Sequence, residues 1–214
     1  MEQNYDATKQ FHLESREFLD KMTFVNWYRY FFIVREVVDL KLKSILEIGP
    51  GEETVKHVLA PYVEKYETFD INSKLKPNYI GDVRDFKPEL QNKFDCVIAA
   101  DILEHIPFED ETKTLKNLHS YLQPDGRALI TVPHRVWYIF GIWWLSYRHF
   151  LLRSPDWVRR LYHRGKNTID PDHKWEIGDG KHKIEDFGNA ARAAGFKIEK
   201  LQKLIYVDFW TLRK

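Results

Sequence analysis

The stretch SILEIGPGEET, residues 44–54, is the most informative part of the chain for its fold. A short apolar run leads through Glu47 into two glycines, Gly49 and Gly51, with a proline between them. A short strand that ends in a glycine turn is typical of the first strand of a parallel α/β sheet, where the backbone approaches a ligand closely. This loop carries acids and no lysine, which disfavours a pyrophosphate because like charges repel. The stretch therefore predicts a ligand with a cationic group.

The bulk composition indicates a globular chain. It has 214 residues, of which 43% are hydrophobic and 30% charged, and its net charge is +1. This length suits one core, and the near-neutral charge does not indicate a general nucleic-acid binder. Cys96 is the only cysteine, so no disulfide can form within the chain. Together with a polar N-terminus that lacks signal-peptide character, this predicts a cytoplasmic protein.

The chain divides into four stretches, which we interpret as parts of one domain, residues 1–214. The first predicts N-terminal helices, the second alternates strands and helices, the third interrupts this rhythm, and the fourth resumes it. Their bounds are residues 1–43, 44–133, 134–170 and 171–214. The alternation predicts a doubly wound α/β fold, with a mostly parallel sheet covered by helices on both faces.

Two further acids end the next predicted strands. Asp70 closes YETFDI, where a carboxylate can accept two hydrogen bonds from a ribose diol. Asp82, in GDVRDF, can accept from an exocyclic amine. A nucleoside with a cationic amino-acid tail and no phosphate satisfies the loop and both acids, and S-adenosylmethionine is such a molecule. The dinucleotide fingerprint needs a glycine where this chain has Thr54, so a nicotinamide cofactor is disfavoured.

Five motifs in order carry a family resemblance. ILEIGPGEET, YETFDIN, GDVRDF, FDCVIAADILEHIP and LQPDGRALITVP resemble the successive motifs of class I S-adenosylmethionine-dependent methyltransferases. The likeness is greatest to the small-molecule group that includes the ubiquinone and menaquinone methyltransferases. It covers about residues 42–133, and more loosely 171–204. It implies a Rossmann-like, seven-stranded sheet with an antiparallel last strand, and methyl transfer that leaves S-adenosylhomocysteine.

The resemblance also implies which residues hold the cofactor. The matching positions are Glu47, Gly49 and Gly51 in the loop, Asp70 and Ile71 at the ribose, Asp82 and Val83 at the adenine, and Ala100 and Asp101 beside the methionine part. The chain departs from the family pattern at two places. Glu53 stands where the family often has a third glycine. The C-terminal IYVDFWTLRK offers no glycine or asparagine for a tight turn, which predicts an irregular or shortened final hairpin.

The chemistry requires little of the protein. The sulfonium methyl is already activated, so the enzyme need only align a nucleophile, with a base where the acceptor is protonated. His105 and His134 are candidates for that base, although each could equally cap or pack. His173, in PDHKWEIG, is more typical of a lid. No His, Cys or Asp cluster has the sequence spacing of metal ligands, so no metal is predicted.

The segment after the fifth strand is unusual in composition. Residues 134–166 hold nine aromatic residues, seven Lys or Arg and one acid. We expect residues 136–164 to form helices that cover the acceptor pocket and contact an anionic membrane or a large amphipathic acceptor. The simpler alternative is a helical cap whose rings complete the core. Nucleic acid is disfavoured as a partner, because the basic patch is local and lacks a recognised RNA module.

Two functions remain open. The first is an S-adenosylmethionine-dependent methyltransferase that acts on a small-molecule or lipid-like acceptor. The second is a regulatory or binding module that keeps the fold without catalysis. The joint presence of the loop glycines and the acids that follow the first three strands favours the first.

Overall fold

Helices and strands alternate along much of the chain. The computed structural model describes residues 24–51, 53–135, 138–143, 148–153 and 170–214. The helices are α1 (Phe24–Asp39), α2 (Thr54–Leu59), α3 (Glu111–Tyr121) and α4 (Ile184–Ala193). The strands are β1 (Ser44–Ile48), β2 (Lys65–Asp70), β3 (Tyr79–Ile80), β4 (Phe94–Ala100), β5 (Leu122–Pro133), β6 (Tyr138–Trp143), β7 (Arg148–Arg153), β8 (Lys197–Lys203) and β9 (Val207–Arg213).

Seven of these strands form one sheet, in the order β3-β2-β1-β4-β5-β9-β8. The pairs from β3 to β5 are parallel, whereas β9 lies antiparallel between β5 and β8. Strand order reverses at β1, which has β2 on one side and β4 on the other. The predicted seven-stranded, mostly parallel sheet with an antiparallel last strand is confirmed.

The apolar residues of β1 alternate between the two faces of the sheet. Leu46 and Ile48 join a core that includes Leu115 of α3, while Ile45 joins a second core with Ile33 of α1. This is the alternation expected of a strand covered on both faces. It confirms that helices pack on both faces of the sheet. The predicted N-terminal helix is present as α1, and residues 1–23 lie outside the described residues.

The final hairpin is irregular but not shortened. The pairing of β8 with β9 shifts between Ile198 and Lys200. Even so, β9 has seven residues and all but the last are buried. The predicted irregularity is therefore confirmed, and the hairpin keeps its full length because β9 inserts between β5 and β8.

The segment after β5 differs from the prediction. Over residues 138–143 and 148–153 it forms a two-stranded antiparallel sheet, with Tyr138 opposite Arg153 and Trp143 opposite Arg148. The prediction of helices is wrong for these residues. YIFGIW is rich in aromatic and β-branched residues, which favour strands. The rest of the predicted insert lies outside the described residues. Among the helices that are described, none is long and apolar enough to cross a membrane.

Candidate functional site

The carboxyl ends of the parallel strands are tied together along one edge of the sheet. Backbone amides just beyond the strands donate to neighbouring strands: Gly49 to Phe69 O at 2.9 Å, and Gly81 to Asp70 O at 3.0 Å. On the other side of β1, the amide of Asp101 donates to Thr131 O at 3.2 Å. Because the strand order is β3-β2-β1-β4, the turns after these strands follow one another along that edge. This is where ligands bind in open parallel sheets.

The turn after β1 has a left-handed backbone. Gly49 and Gly51 have φ of 62° and 54°. A Cβ on Gly49 would overlap Cδ1 of Ile102, which follows β4, so the Ile102 side chain would have to move, and the positive φ itself favours glycine. Glu53, at the position of the family's third glycine, also has a φ of 55°. The loop therefore keeps a glycine-like conformation without the glycine, and Glu53 pairs with Lys56 at 2.7 Å.

Glu47 is held inside the sheet. It is 3% exposed, and its Oε2 accepts a hydrogen bond from the Tyr66 hydroxyl at 2.8 Å. Burial raises the pKa of Glu47 to about 8, although the Tyr66 bond opposes the shift. A buried carboxyl of this kind is ionised at lower cost when a cation lies beside it. The residue therefore fits the ammonium or sulfonium of S-adenosylmethionine.

The acids expected to contact the ribose and the adenine, Asp70 and Asp82, differ in the partners that their carboxylates already have. Asp70 is half-buried, its Oδ1 accepts from the Asn72 amide at 2.7 Å, and burial raises its pKa. Beside it, Ile71 is 50% exposed and offers an apolar surface. Asp82 instead pairs with Arg84, with Oδ2 2.6 Å from Nη2. Burial would raise the pKa of Asp82, but the bonds to Arg84 lower it overall.

Val83 is the second residue expected to contact the adenine. Its side chain is buried, and its carbonyl accepts from Asn117 Nδ2 of α3 at 3.0 Å. This bond fixes the turn after β3 to a helix. The carboxylate of the neighbouring Asp82, which is expected to contact the adenine amine, would have to bind that amine and Arg84 at the same time.

An arginine that sequence reasoning missed lies at the end of β4. Asp101, which follows Ala100, forms an ion pair with Arg29 of α1 and accepts a hydrogen bond from the Thr131 hydroxyl. Burial raises the pKa of both Glu47 and Glu104, and the charge of the nearby Arg29 opposes part of that rise. No local pattern points to this pair, because α1 lies far from β4 along the chain.

His134 forms a buried pair at the end of β5. Its Nδ1 lies 2.9 Å from Oδ1 of Asp208 on β9, and both side chains are 2% exposed. Its Nε2 is buried and has no hydrogen-bond partner among the described residues. Sequence reasoning found His134 but not Asp208, which joins it only because β9 pairs with β5.

His105 lies in a different group. It comes together with Glu104 and His173, and one ligand atom from each lies within 4.8 Å of the others. Burial raises the pKa of Glu104 to about 8 and lowers the pKa of His105. The prediction of no metal depended on spacing along the chain, whereas His173 reaches this group through the fold. His105 and His134 thus belong to two separate groups of side chains.

The sheet order, the glycine turn and the row of acids define the class I methyltransferase fold. A methyltransferase domain family matches residues 27–201, most of the chain, and the protein belongs to that family. The prediction of an S-adenosylmethionine-dependent methyltransferase is confirmed at this level.

Solved structures share this fold at low sequence identity. The N-methyltransferase NodS from Bradyrhizobium japonicum, solved with S-adenosylhomocysteine, is 12% identical over 98% of this chain and 97% of its own, with a TM-score of 0.64. The 1,6-didemethyltoxoflavin-N1-methyltransferase of Burkholderia thailandensis is 13% identical over 86% of this chain and 78% of its own, with a TM-score of 0.55. The small RNA methyltransferase HEN1 is 13% identical over 89% of this chain and 25% of its own, with a TM-score of 0.62. No curated protein matches the sequence.

Proposed function

We propose that the protein binds S-adenosylmethionine along the carboxyl edge of β3, β2, β1 and β4 and transfers its methyl group in line to a small-molecule or lipid-like acceptor. The observation that carries the proposal is the order of groups on that edge. A glycine turn, three strand-end acids and an exposed Ile71 follow one another in the sequence that an extended nucleoside with a cationic tail requires.

Each residue has a role that its surroundings support. Asp70 holds the ribose hydroxyls, and Ile71 covers the base. The turn at Asp82 and Val83 contacts the adenine edge. Gly49 and Gly51 let the backbone pass close to the amino-acid tail, near Glu47, Ala100 and Asp101. These residues are the ones that the family resemblance implies. Asp82 also forms an ion pair with Arg84.

His134 is the better candidate for a general base. The bound cofactor supplies an activated methyl group on a sulfonium, so a base serves only to accept the acceptor's proton. Asp208 lies against Nδ1 and favours the tautomer that carries its proton there. The lone pair is then on Nε2, which has no other partner among the described residues. His105, the second candidate, belongs instead to the group around Glu104.

The acceptor is proposed from the composition of the segment after β5. Its nine aromatic residues and excess of Lys and Arg suit a lipid-like or amphipathic molecule, and a peripheral contact between residues 136–164 and anionic membrane at the cytoplasmic face. Two structural neighbours carry names of N-methyltransferases, one of them on a small molecule, and a third acts on small RNA. An RNA acceptor is the competing outcome, to be included in the acceptor screen.

Calorimetric titration with S-adenosylmethionine and S-adenosylhomocysteine tests the cofactor site. Asp70→Ala should weaken binding by about 1.5–3 kcal/mol, or roughly 10- to 150-fold, because charge-assisted hydrogen bonds to the ribose are lost. Glu64→Ala is the matched control, since Glu64 is exposed just before the opposite end of the same strand. Equal affinity in the two variants would remove Asp70 from the site. Tighter binding of NADH than of S-adenosylmethionine would overturn the cofactor proposal.

A screen for methyl acceptors distinguishes an enzyme from a regulatory module. A screen of lipid, phenolic and RNA acceptors with methyl-labelled cofactor should give transfer to a lipid-like or small-molecule acceptor. Cofactor binding without transfer to any acceptor class would favour the non-catalytic alternative.

A further inference from the structure

Three side chains after β4 and before α4 converge on one point. Glu104 and His105 lie on a short helical turn after β4, and His173 comes from the segment that precedes α4. One ligand atom from each lies within 4.8 Å of the others. A carboxylate with two imidazoles is a donor set that divalent transition metals prefer.

The surroundings of the Glu104 carboxylate favour a bound cation. Its side chain is fully buried, and neither oxygen has a hydrogen-bond partner among the described residues. Among the described residues, Nε2 of His173 lies 3.9 Å from Oε1, beyond hydrogen-bond range. Two ligands that are each about 2.1 Å from one ion can be up to about 4.2 Å apart, so an ion fits between these two atoms. Arg29 is the nearby cation, and it is already paired with Asp101.

Both histidines are oriented as metal ligands usually are. Nδ1 of His105 lies 3.0 Å from the Asp172 carbonyl, and Nδ1 of His173 lies 2.9 Å from Oε1 of Glu176. A hydrogen on each Nδ1 donates to these oxygens, which leaves the lone pair of each ring on Nε2. An outer carboxylate or carbonyl that fixes the tautomer in this way is the common support of a metal-bound imidazole.

The two segments are held together independently of these side chains. The amide of Lys174 donates to Glu104 O at 2.7 Å, and the indole of the buried Trp175 donates to Ile106 O at 3.0 Å. Glu176 is fixed in turn by Arg135, whose Nε lies 2.8 Å from Oε2. The donor atoms therefore sit on a prearranged backbone, and the three ligand atoms, which lie within 4.8 Å of one another, can meet one ion through side-chain movement alone.

We infer that Glu104, His105 and His173 bind one divalent first-row transition-metal ion. With three protein ligands, the ion keeps open positions for water or for an oxygen or nitrogen atom of a bound molecule. Mg²⁺ and Ca²⁺ are disfavoured, because they prefer all-oxygen ligands. The inference does not depend on the proposed methyl transfer, since metal binding is measured without cofactor or acceptor.

A Co²⁺ titration of the chelator-treated full chain tests the inference. We expect one ion per chain, visible absorption bands of nitrogen- and oxygen-bound Co²⁺, and displacement by Zn²⁺. Glu104→Gln and His173→Gln should each lower the affinity at least tenfold, since each removes a ligand. His57→Ala is the control, because His57 is exposed on α2 and far along the chain from the cluster.

A thermal melt keeps the test decisive if a variant folds poorly. Zn²⁺ should raise the Tm of the wild-type chain and of His57→Ala, because an ion that binds only the folded state stabilises it. It should not raise the Tm of the His105→Gln, His173→Gln double variant. Metal binding that survives in that double variant, or no binding by the wild-type chain, would overturn the proposal and leave a histidine pair that only packs, with ring centroids 5.0 Å apart.

Discussion

At the scale of single residues, the main feature is a buried carboxyl group with a raised pKa. Glu47 lies within β1 and is bonded to Tyr66, a residue of the neighbouring strand. Burial is the largest influence on its pKa, which rises from 4.5 to about 8. A buried carboxyl with one neutral donor is costly to ionise, so the folded chain holds its proton more tightly than the unfolded chain does.

This difference makes stability depend on pH. The stabilising contribution of protonated Glu47 is complete below pH 4.5, and it is lost as the pH rises through the folded value of about 8. From pH 5 to pH 8, the free energy of unfolding of the wild-type chain should fall by on the order of 3 kcal/mol through the ionisation of Glu47. Glu47→Gln cannot ionise, so its free energy of unfolding should lack this fall. Urea denaturation at both pH values measures the difference. Glu64→Gln, at an exposed site, should follow the wild-type chain; parallel curves for all three proteins would contradict the assigned burial effect.

His134 gives a second prediction at this scale. Once the screen has identified an acceptor with an ionisable proton, His134→Gln should lower the single-turnover rate by about 100-fold or more, the usual range for loss of a general base. The Kd of S-adenosylmethionine should stay within about twofold of the wild-type value. Asp208→Asn should give a smaller loss, because the imidazole remains but its orientation is weakened. A normal rate in His134→Gln would show that the histidine is structural.

At the scale of elements, the loop after β1 and the segment after β5 behave differently. The conformation of the loop is set locally by Gly49 and Gly51, which have positive φ. Glu53 adopts the same left-handed backbone. The segment after β5 does not, since aromatic-rich stretches suit either a helix face or a strand. Pairing between residues 138–143 and 148–153 selects the strand form.

The proposed membrane contact belongs to this segment. The chain should float with anionic but not with neutral vesicles at low salt, and added salt should weaken the binding. Arg159→Glu with Arg160→Glu should reduce binding about 30-fold or more, since each basic residue near an anionic surface contributes about 1 kcal/mol. Lys113→Glu with Lys116→Glu, an equal charge change at exposed positions of α3, should have little effect. No flotation of the wild-type chain would leave a soluble acceptor and an insert without a membrane role.

At the scale of the whole molecule, the segment before α4 joins the ends of β4 and β5. Arg135, just past β5, pairs with Glu176, and Glu176 bonds to His173 beside Glu104. The amide of Arg135 also donates to the Ile177 carbonyl at 2.9 Å. These contacts connect the two groups that contain His134 and His105 through one stretch of chain.

The sheet, the glycine turn and the strand-end acids could be predicted from the amino-acid sequence. Those features depend on local signals: apolar runs of strand length, glycine where φ is positive, and acids at the strand ends. Which distant side chains meet depends instead on the packing of the folded chain. The pairs Arg29 with Asp101 and His134 with Asp208, and the convergence of Glu104 with His173, join residues far apart in the chain. Such contacts are set by how elements pack, and neither spacing nor periodicity along the chain encodes them.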